Sequence, residues 1–279
     1  HKMEEKFAKI EALLEKSTEI PTLSKSVLEL LSALNNPNVN SEEIARIVNS
    51  DYALATRIIN FANSPYYGLQ GNIKTTRDAI TLLGVNMIKN LAMLVLASSC
   101  FENGNNNRNT YTSPWMYAIC VAVISETIAE ACETKDKELA FTAGLLHDIG
   151  ESRLQSITNQ RNSKAVRMSS YTKYPINRLQ DFMFGFNHCD VGYVLAKKWL
   201  LPNELQEVIR YHHDPTLCPV DNNLVDIVHT ATVFCSMYGI SPYELQTTIP
   251  LHTKSFEALG LDSKTLMSYV GRRVMHKLD

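Results

Sequence analysis

The chain has 279 residues, 45% of them hydrophobic and 20% charged, and a formal net charge of −2. This is the composition of an ordinary soluble globular protein, long enough for one large domain or two smaller ones. The near-neutral balance gives no electrostatic case for nucleic acid or an anionic membrane surface, and no apolar run reaches the ~18 residues that a membrane span needs.

The first segment, Glu4 to Leu14, is a charged amphipathic helix, expected to act as an arm packed by one face and not as a secretory signal. Pro21 breaks the chain. Val27, Leu30, Leu31 and Leu34 then follow at helical spacing and make one apolar face. Asn35-Asn36-Pro37-Asn38 ends that helix with turn chemistry. Ser41 is the expected N-cap of a short helix bearing Ile44, Ile47 and Val48, with Glu42 and Glu43 in its first turn, where the helix dipole favours acid. Asp51 caps the next helix, which buries Leu54, Ile58 and Phe61 and stops before Asn63-Ser64-Pro65. A loop with Gly68 and Gly71 leads to Thr75-Thr76-Arg77-Asp78, a capping-box pattern.

The helix that follows carries Ile80, Leu83, Met87, Leu91, Leu94 and Val95 on one broad face, with Gly84 expected to allow the close approach of another helix. Residues 102–112 are Asn-rich and lack apolar periodicity, so the boundary between two halves falls there. Ser113-Pro114 then opens a helix to about Cys132. A second helix, from about Lys137 to Leu154, carries His147-Asp148. Further helices are expected near 160–170, 175–184, 188–200, 203–213 and 224–238. Ser241-Pro242-Tyr243-Glu244 reads as another capping box, and Asp262 caps a last helix to about His276. The class is all-α.

His147-Asp148, in the stretch Gly144-Leu145-Leu146-His147-Asp148-Ile149-Gly150, sets an imidazole beside a carboxylate. That pair suits a divalent metal or a plain buried hydrogen bond. Candidate companions in the second half are His188, His212, His213 and His229, with Asp190, Asp214 and Asp226. His188 opens one helix and His212-His213 closes the next, so they can either converge on a pocket or interact with a helix dipole. No phosphate loop, G-x-G-x-x-G or nucleophile elbow is present, and Ser98-Ser99-Cys100 sits in an apolar helix as core. The six cysteines, at 100, 120, 132, 189, 218 and 235, form no C-x-x-C pair. Several occupy apolar helix positions as small hydrophobes, which fits a reduced cytoplasmic setting.

The stretch from Gly144 to Gly150 resembles the signature of the HD superfamily of metal-dependent phosphohydrolases. Other motifs are more specific: Ile20-Pro21, Ile47-Val48-Asn49-Ser50-Asp51, Asn60-Phe61-Ala62-Asn63-Ser64, Tyr67-Gly68, Ile73, Asp78-Ala79-Ile80 and Leu83-Gly84. Phe184-Gly185-Phe186-Asn187-His188, Val191-Gly192, Trp199-Leu200-Leu201-Pro202 and Tyr211-His212-His213 continue the series. In this order they are similar to the HDOD domain, the HD-related output domain of bacterial signalling proteins, over about residues 18–240.

The resemblance implies two packed helical subdomains, the second an HD-like bundle. Residues 1–17 would be an N-terminal arm, 18–101 the first half, 113–240 the HD-like half and 241–279 accessory helices. It further implies a cytoplasmic, non-catalytic regulatory module that contacts signalling proteins in trans, with no nucleic acid or membrane partner. A catalytic HD site has a His near the position of Tyr117 and an Asp near that of Thr232, so both ligands are missing here. Asp214-Pro215-Thr216 stands where the cyclic-dinucleotide phosphodiesterases carry Gly-Tyr-Pro. No catalytic residue and no cofactor are therefore expected. The alternatives are a divergent metal-dependent phosphohydrolase using His147, Asp148, His188, His212 and His213, or a nucleotide-sensing domain.

Overall fold

The computed structural model of the chain describes residues 2–17, 25–34, 36, 38–63, 73–101, 114–134, 137–159, 161–243, 249–260 and 262–278. Pro21, the Gly68–Gly71 loop, the linker over 102–112 and its flanking Ser113 lie outside the described residues. Within them the fold is all-α, with fifteen α-helices, a 3-10 turn at Pro215–Leu217 and no strand.

After the arm α1 (Lys2–Lys16), the first half comprises α2 (Lys25–Leu34), α3 (Ser41–Asn49), α4 (Tyr52–Ala62) and α5 (Thr76–Phe101). Val27, Leu30, Ile44, Val48, Leu54, Ile58 and Leu91 form an apolar core whose burial from water holds α2 to α5 together. Asp51 caps α4 by accepting from Leu54 N at 3.1 Å, and Thr75 and Asp78 exchange bonds of 3.0 and 2.9 Å as a reciprocal box.

Two expectations need correction in this half. The cap of α3 is Asn40, one residue earlier than Ser41; its side chain accepts from Glu43 N at 2.8 Å, and Ser41 is already helical. Gly84 does not admit a neighbouring helix, since a Cβ there would meet nothing within 4 Å. Its backbone has φ 78° and ψ 168°, which breaks α5 into two helical pieces. Such angles are essentially restricted to glycine, and that is why glycine stands there.

The HD-like half contains α6 (Pro114–Ala131), α7 (Lys137–Leu146), α8 (Ile149–Ile157), α9 (Asn162–Thr172), α10 (Ile176–Phe184), α11 (His188–Lys198), α12 (Asn203–Tyr211) and α13 (Asn223–Met237). The expected single helix over 137–154 is two, and His147-Asp148 forms the turn between α7 and α8. The glycines that flank this turn explain where it lies. A Cβ on Gly144 would sit 2.8 Å from Ala122 Cα and 2.9 Å from Val121 O, so α7 presses directly on α6. A Cβ on Gly150 would sit 2.0 Å from His188 O and 2.4 Å from Gly192 N, so α8 crosses α11 backbone to backbone. One glycine thus fixes the turn against Tyr117's helix and the other fixes it against His188's.

The arm α1 buries Ile10 and Leu14 and packs on α8 and α11. Lys6 pairs with Asp190 at 2.8 Å, and the Arg210 guanidinium lies over the rings of Phe7 and Tyr193 at 4.9 and 4.5 Å from their centroids. At the other end, α14 (Thr253–Ala258) and α15 (Ser263–Leu278) follow, and Leu259, Leu266 and Val270 join the main core. Asp262 caps α15 as expected, accepting from Thr265 N at 3.0 Å. Ser241 Oγ accepts from Tyr243 N at 3.2 Å, but Glu244 lies outside the described residues and α14 begins only at Thr253.

Candidate functional site

His147, Asp148, His188, His212 and His213 line one small cavity of about 20 Å³, together with Tyr117, Thr232, Ile176, Pro242, Tyr243 and Ile249. All five candidate ligands are therefore brought together, at the junction of α7, α8, α11 and α12, and all are buried. Tyr117 and Thr232, the two positions where the resemblance leads one to expect further ligands, face the same space. Thr232 is already engaged, donating its hydroxyl to His229 O at 2.7 Å, and burial pushes the Tyr117 phenol well above its ordinary range.

The hydrogen-bond pattern fixes the imidazole tautomers. His147 Nδ1 lies 2.6 Å from Gly144 O, and His212 Nδ1 lies 3.0 Å from Ile209 O. A carbonyl can only accept, so each Nδ1 carries the proton and each Nε2 keeps its lone pair. His188 Nδ1 lies 2.6 Å from Gln180 Oε1, whose amide nitrogen donates to Glu151 Oε2 at 3.1 Å and to Asn162 Oδ1 at 3.0 Å. That assignment makes Gln180 Oε1 an acceptor, and His188 Nε2 is also left unprotonated. Burial keeps the rings neutral, pulling His147 down to about 4 and His188 to about 3, the latter helped by the neighbouring His147.

Acidic groups complete the site. Asp148 Oδ1 stands 3.5 Å from His188 Nε2 and has no hydrogen-bond partner among the described residues. Burial, with Glu151 nearby, pushes the Asp148 carboxyl well up. Burial also pushes Glu151 up to about 7, against hydrogen bonds from Tyr243, Gln180 and Asn162. Ligand atoms of His147, Asp148 and His212 lie within 4.8 Å of one another, as do those of Asp148, Glu151 and His188. Imidazole lone pairs, an unpartnered buried carboxylate oxygen and an ion-sized space together fit one divalent transition-metal cation, with Nδ1 bonds to carbonyls orienting the rings from behind.

Other expected candidates are elsewhere. Both nitrogens of His229 are used, by His212 O at 2.7 Å and His252 N at 3.2 Å. Asp190 closes a capping box with Asn187, and Asp214 pairs with Arg178 at 3.4 Å, while Asp226 does not line the cavity. Conversely, Glu151, Cys189, Gln180 and Tyr243 take part without having been singled out. Glu151 was detectable in principle, because it follows Asp148 by three residues and so shares its helix face. Cys189 was visible as the residue after His188, yet it reads as a small hydrophobe. Gln180 and Tyr243 reach the site only through tertiary folding.

The comparisons with known proteins agree with this architecture. An uncharacterized protein of Treponema pallidum (strain Nichols) is 26% identical over 238 residues, which is 84% of this chain and 45% of that protein, so the chain spans under half of that relative's length. A Geobacter sulfurreducens structure described as an HDOD domain protein with unknown function superposes with a TM-score of 0.80 at 25% identity, covering 98% of this chain and 96% of that one. A Shewanella amazonensis SB2B structure, provisionally described as a phosphohydrolase, has a TM-score of 0.71 at 21% identity, covers 95% and 94% of the two chains, and so shares the fold. Among the described residues no helix is long and apolar enough to cross a membrane. The HDOD domain profile matches residues 20–215, a span that contains His147, Asp148, His188, His212 and His213 as well as the first-half core. By that match the chain belongs to the HDOD domain family.

Proposed function

We propose that the chain is a non-catalytic signal-transduction module that works through contacts with other signalling proteins. The observation that carries this reading is the small size of the site. A cavity of about 20 Å³ holds a water molecule or a single ion, whereas pockets for organic ligands are roughly 300–1,000 Å³. Pro242, Tyr243 and Ile249 line it alongside the ligands, and the Tyr243 phenol donates to Glu151. A space of that size is smaller than a phosphodiester or a nucleotide needs. Supporting the reading from outside, a Marinobacter aquaeolei VT8 protein of the same fold is provisionally described as a signal transduction protein, with a TM-score of 0.78 at 20% identity.

The second reading, a metal-dependent phosphohydrolase, is favoured by the convergence of imidazole lone pairs on Asp148. A divalent cation, when bound, supplies Lewis acidity for attack on a phosphoryl group. In that reading His147, His188 and His212 bind through Nε2, Gln180 orients His188, and Tyr243 excludes water. Turnover of phosphomonoester and phosphodiester substrates by the full chain with added manganese, iron or zinc separates the two. The expected result is no hydrolysis above that of a His147→Ala, Asp148→Ala double variant. Hydrolysis that the double variant abolishes overturns the non-catalytic reading.

A further inference from the structure

We propose that Cys189 supplies a thiolate ligand which, with His188, His212 and His213, makes one corner of the site a binding position for a thiophilic divalent cation of the zinc class. Cys189 follows His188 in the first turn of α11, and its Sγ lies 3.4 Å from His188 Nε2. Ligand atoms of the four residues all lie within 4.8 Å of one another, and all four residues are buried. Bond lengths of ~2.05 Å to nitrogen and ~2.3 Å to sulfur place the donors of a tetrahedral zinc site roughly 3.3–3.6 Å apart. The His188–Cys189 pair already has that separation, and the remaining donors need to close by about an ångström.

A second observation points to a ligand at this corner. His213 Nδ1 is buried and has no hydrogen-bond partner among the described residues. A buried polar atom left bare costs ~1–3 kcal/mol, so a group that bonds it is favoured. His188 and His212 are already oriented by bonds from Nδ1 to Gln180 and Ile209, the arrangement by which outer partners aim ligating imidazoles. Among the described cysteines, Cys189 alone joins such a group.

Sulfur changes what the site selects. Carboxylate and imidazole alone accept manganese, iron or zinc, while a thiolate favours zinc and its softer relatives over magnesium, calcium and manganese. Coordination forms a sulfur–metal bond as the thiol S–H breaks and releases its proton to solvent, with no change of oxidation state. His212 belongs to this set and also to the set around His147 and Asp148. Its one lone pair binds one cation, so the two sets compete and Cys189 draws the ion towards α11. The inference stands whether or not the chain hydrolyses phosphoesters.

Absorption spectroscopy of the full chain tests it. The reduced protein is stripped with chelator and titrated with cobalt(II), which substitutes for zinc. The expected result is one equivalent bound, with a sulfur-to-cobalt charge-transfer band in the near ultraviolet that zinc abolishes. Cys189→Ala and the closer-sized Cys189→Ser should lose the band and bind zinc more weakly by at least the ~10–100-fold that loss of a supporting partner costs. Cys120→Ala should leave both readouts unchanged. Cobalt bound by the unmodified chain without that band, absence of cobalt binding, or an unaltered band in Cys189→Ala overturns the proposal. The spectrum of the unmodified chain decides the matter even if a variant fails to fold.

Discussion

The two halves of the molecule share one continuous core but bury different chemistry. Between residues 25 and 101, Thr76 is the only buried polar side chain among the described residues. Between 114 and 237 the buried set includes His147, His188, His212, His213 and His229 together with Asp148, Arg153, Asn162 and Gln180. Apolar burial stabilises a fold without further help, at ~25 cal/mol per Å² removed from water. Buried ionisable groups oppose folding unless something satisfies them. The first half is therefore built for stability, and the second holds a cluster that stability alone would not keep.

The largest effect expected from a single change is at the crossing that positions the cluster. Gly150→Ala should destabilise by more than ~3 kcal/mol, because the atoms its Cβ meets at 2.0 and 2.4 Å are backbone on α11 and cannot rotate away. A urea midpoint close to that of the unmodified chain would show that α8 and α11 are not locked together. Ile58→Ala, in the apolar core of the first half, should cost ~2–5 kcal/mol. Its diagnostic feature is selectivity: the imidazole resonances of His147, His188 and His212 should stay where they are. If they move with the loss of a methyl-rich side chain so far away in sequence, the division of labour between the halves is wrong.

Gln180→Leu should come next, at ~1–3 kcal/mol. The leucine leaves His188 Nδ1, His188 N and the Glu151 carboxylate without the partners they now have at 2.6, 3.2 and 3.1 Å. Helices α9 and α10 carry their own small apolar cluster of Ala165, Ile176 and Leu179, and the Glu151–Asn162–Gln180 network ties them to the site. Hydrogen exchange in α9 and α10 should accelerate in this variant more than in α6 or α13. Uniform acceleration would count against the tether.

Acid should also act on the second half. In chelator-treated protein, His147, His188 and His229 have folded pKa values lowered to about 4, 3 and 4, against an ordinary 6.5. Below pH 6.5 the unfolded chain therefore takes up their protons while the folded chain does not, and stability falls as pH falls. Glu151, raised to about 7 from 4.5, and Asp148, also raised, work the other way between those values. Those three imidazoles outnumber the two carboxyls, so unfolding takes up protons near pH 5.5 and stability falls as pH falls. His212 and His213, both lowered by burial, add to the same sign. A urea midpoint that rises from pH 6.5 to 5.5 would mean the carboxylates dominate.

Most of the fold was legible because helix periodicity and caps are local. Asp51, Thr75-Asp78 and Asp262 cap where their side-chain chemistry says they should. The misplacements are equally instructive. Apolar spacing runs unbroken through Gly84 and through His147-Asp148, so periodicity sees one helix in each case. What breaks the first is a backbone conformation open to glycine, and what sets the second is contact of α7 with α6 and of α8 with α11. Convergence of the five candidate residues could be expected only by resemblance, since His147 and His213 are far apart in sequence. Gln180 and Tyr243 had no local signature at all, because a Gln or Tyr acquires its role only from the partner that folding brings to it.

The smallest expected effect concerns the N-terminal arm, α1, which packs on α8 and α11. Lys6 Nζ pairs with Asp190 Oδ2 at 2.8 Å, and the lysine side chain remains 29% exposed. Asp190 Oδ2 also accepts from Asn187 N at 3.2 Å within the capping box of α11, so removal of the lysine does not leave the carboxylate bare. Lys6→Ala should therefore cost less than ~1 kcal/mol and lose its effect as salt is added. The apolar contacts of Ile10 and Leu14, both buried, keep α1 in place without it. A salt-independent loss above ~2 kcal/mol would instead make the ion pair a principal support of α11's first turn, where His188 and Cys189 stand. The arm would then belong energetically to the site and not to the apolar framework.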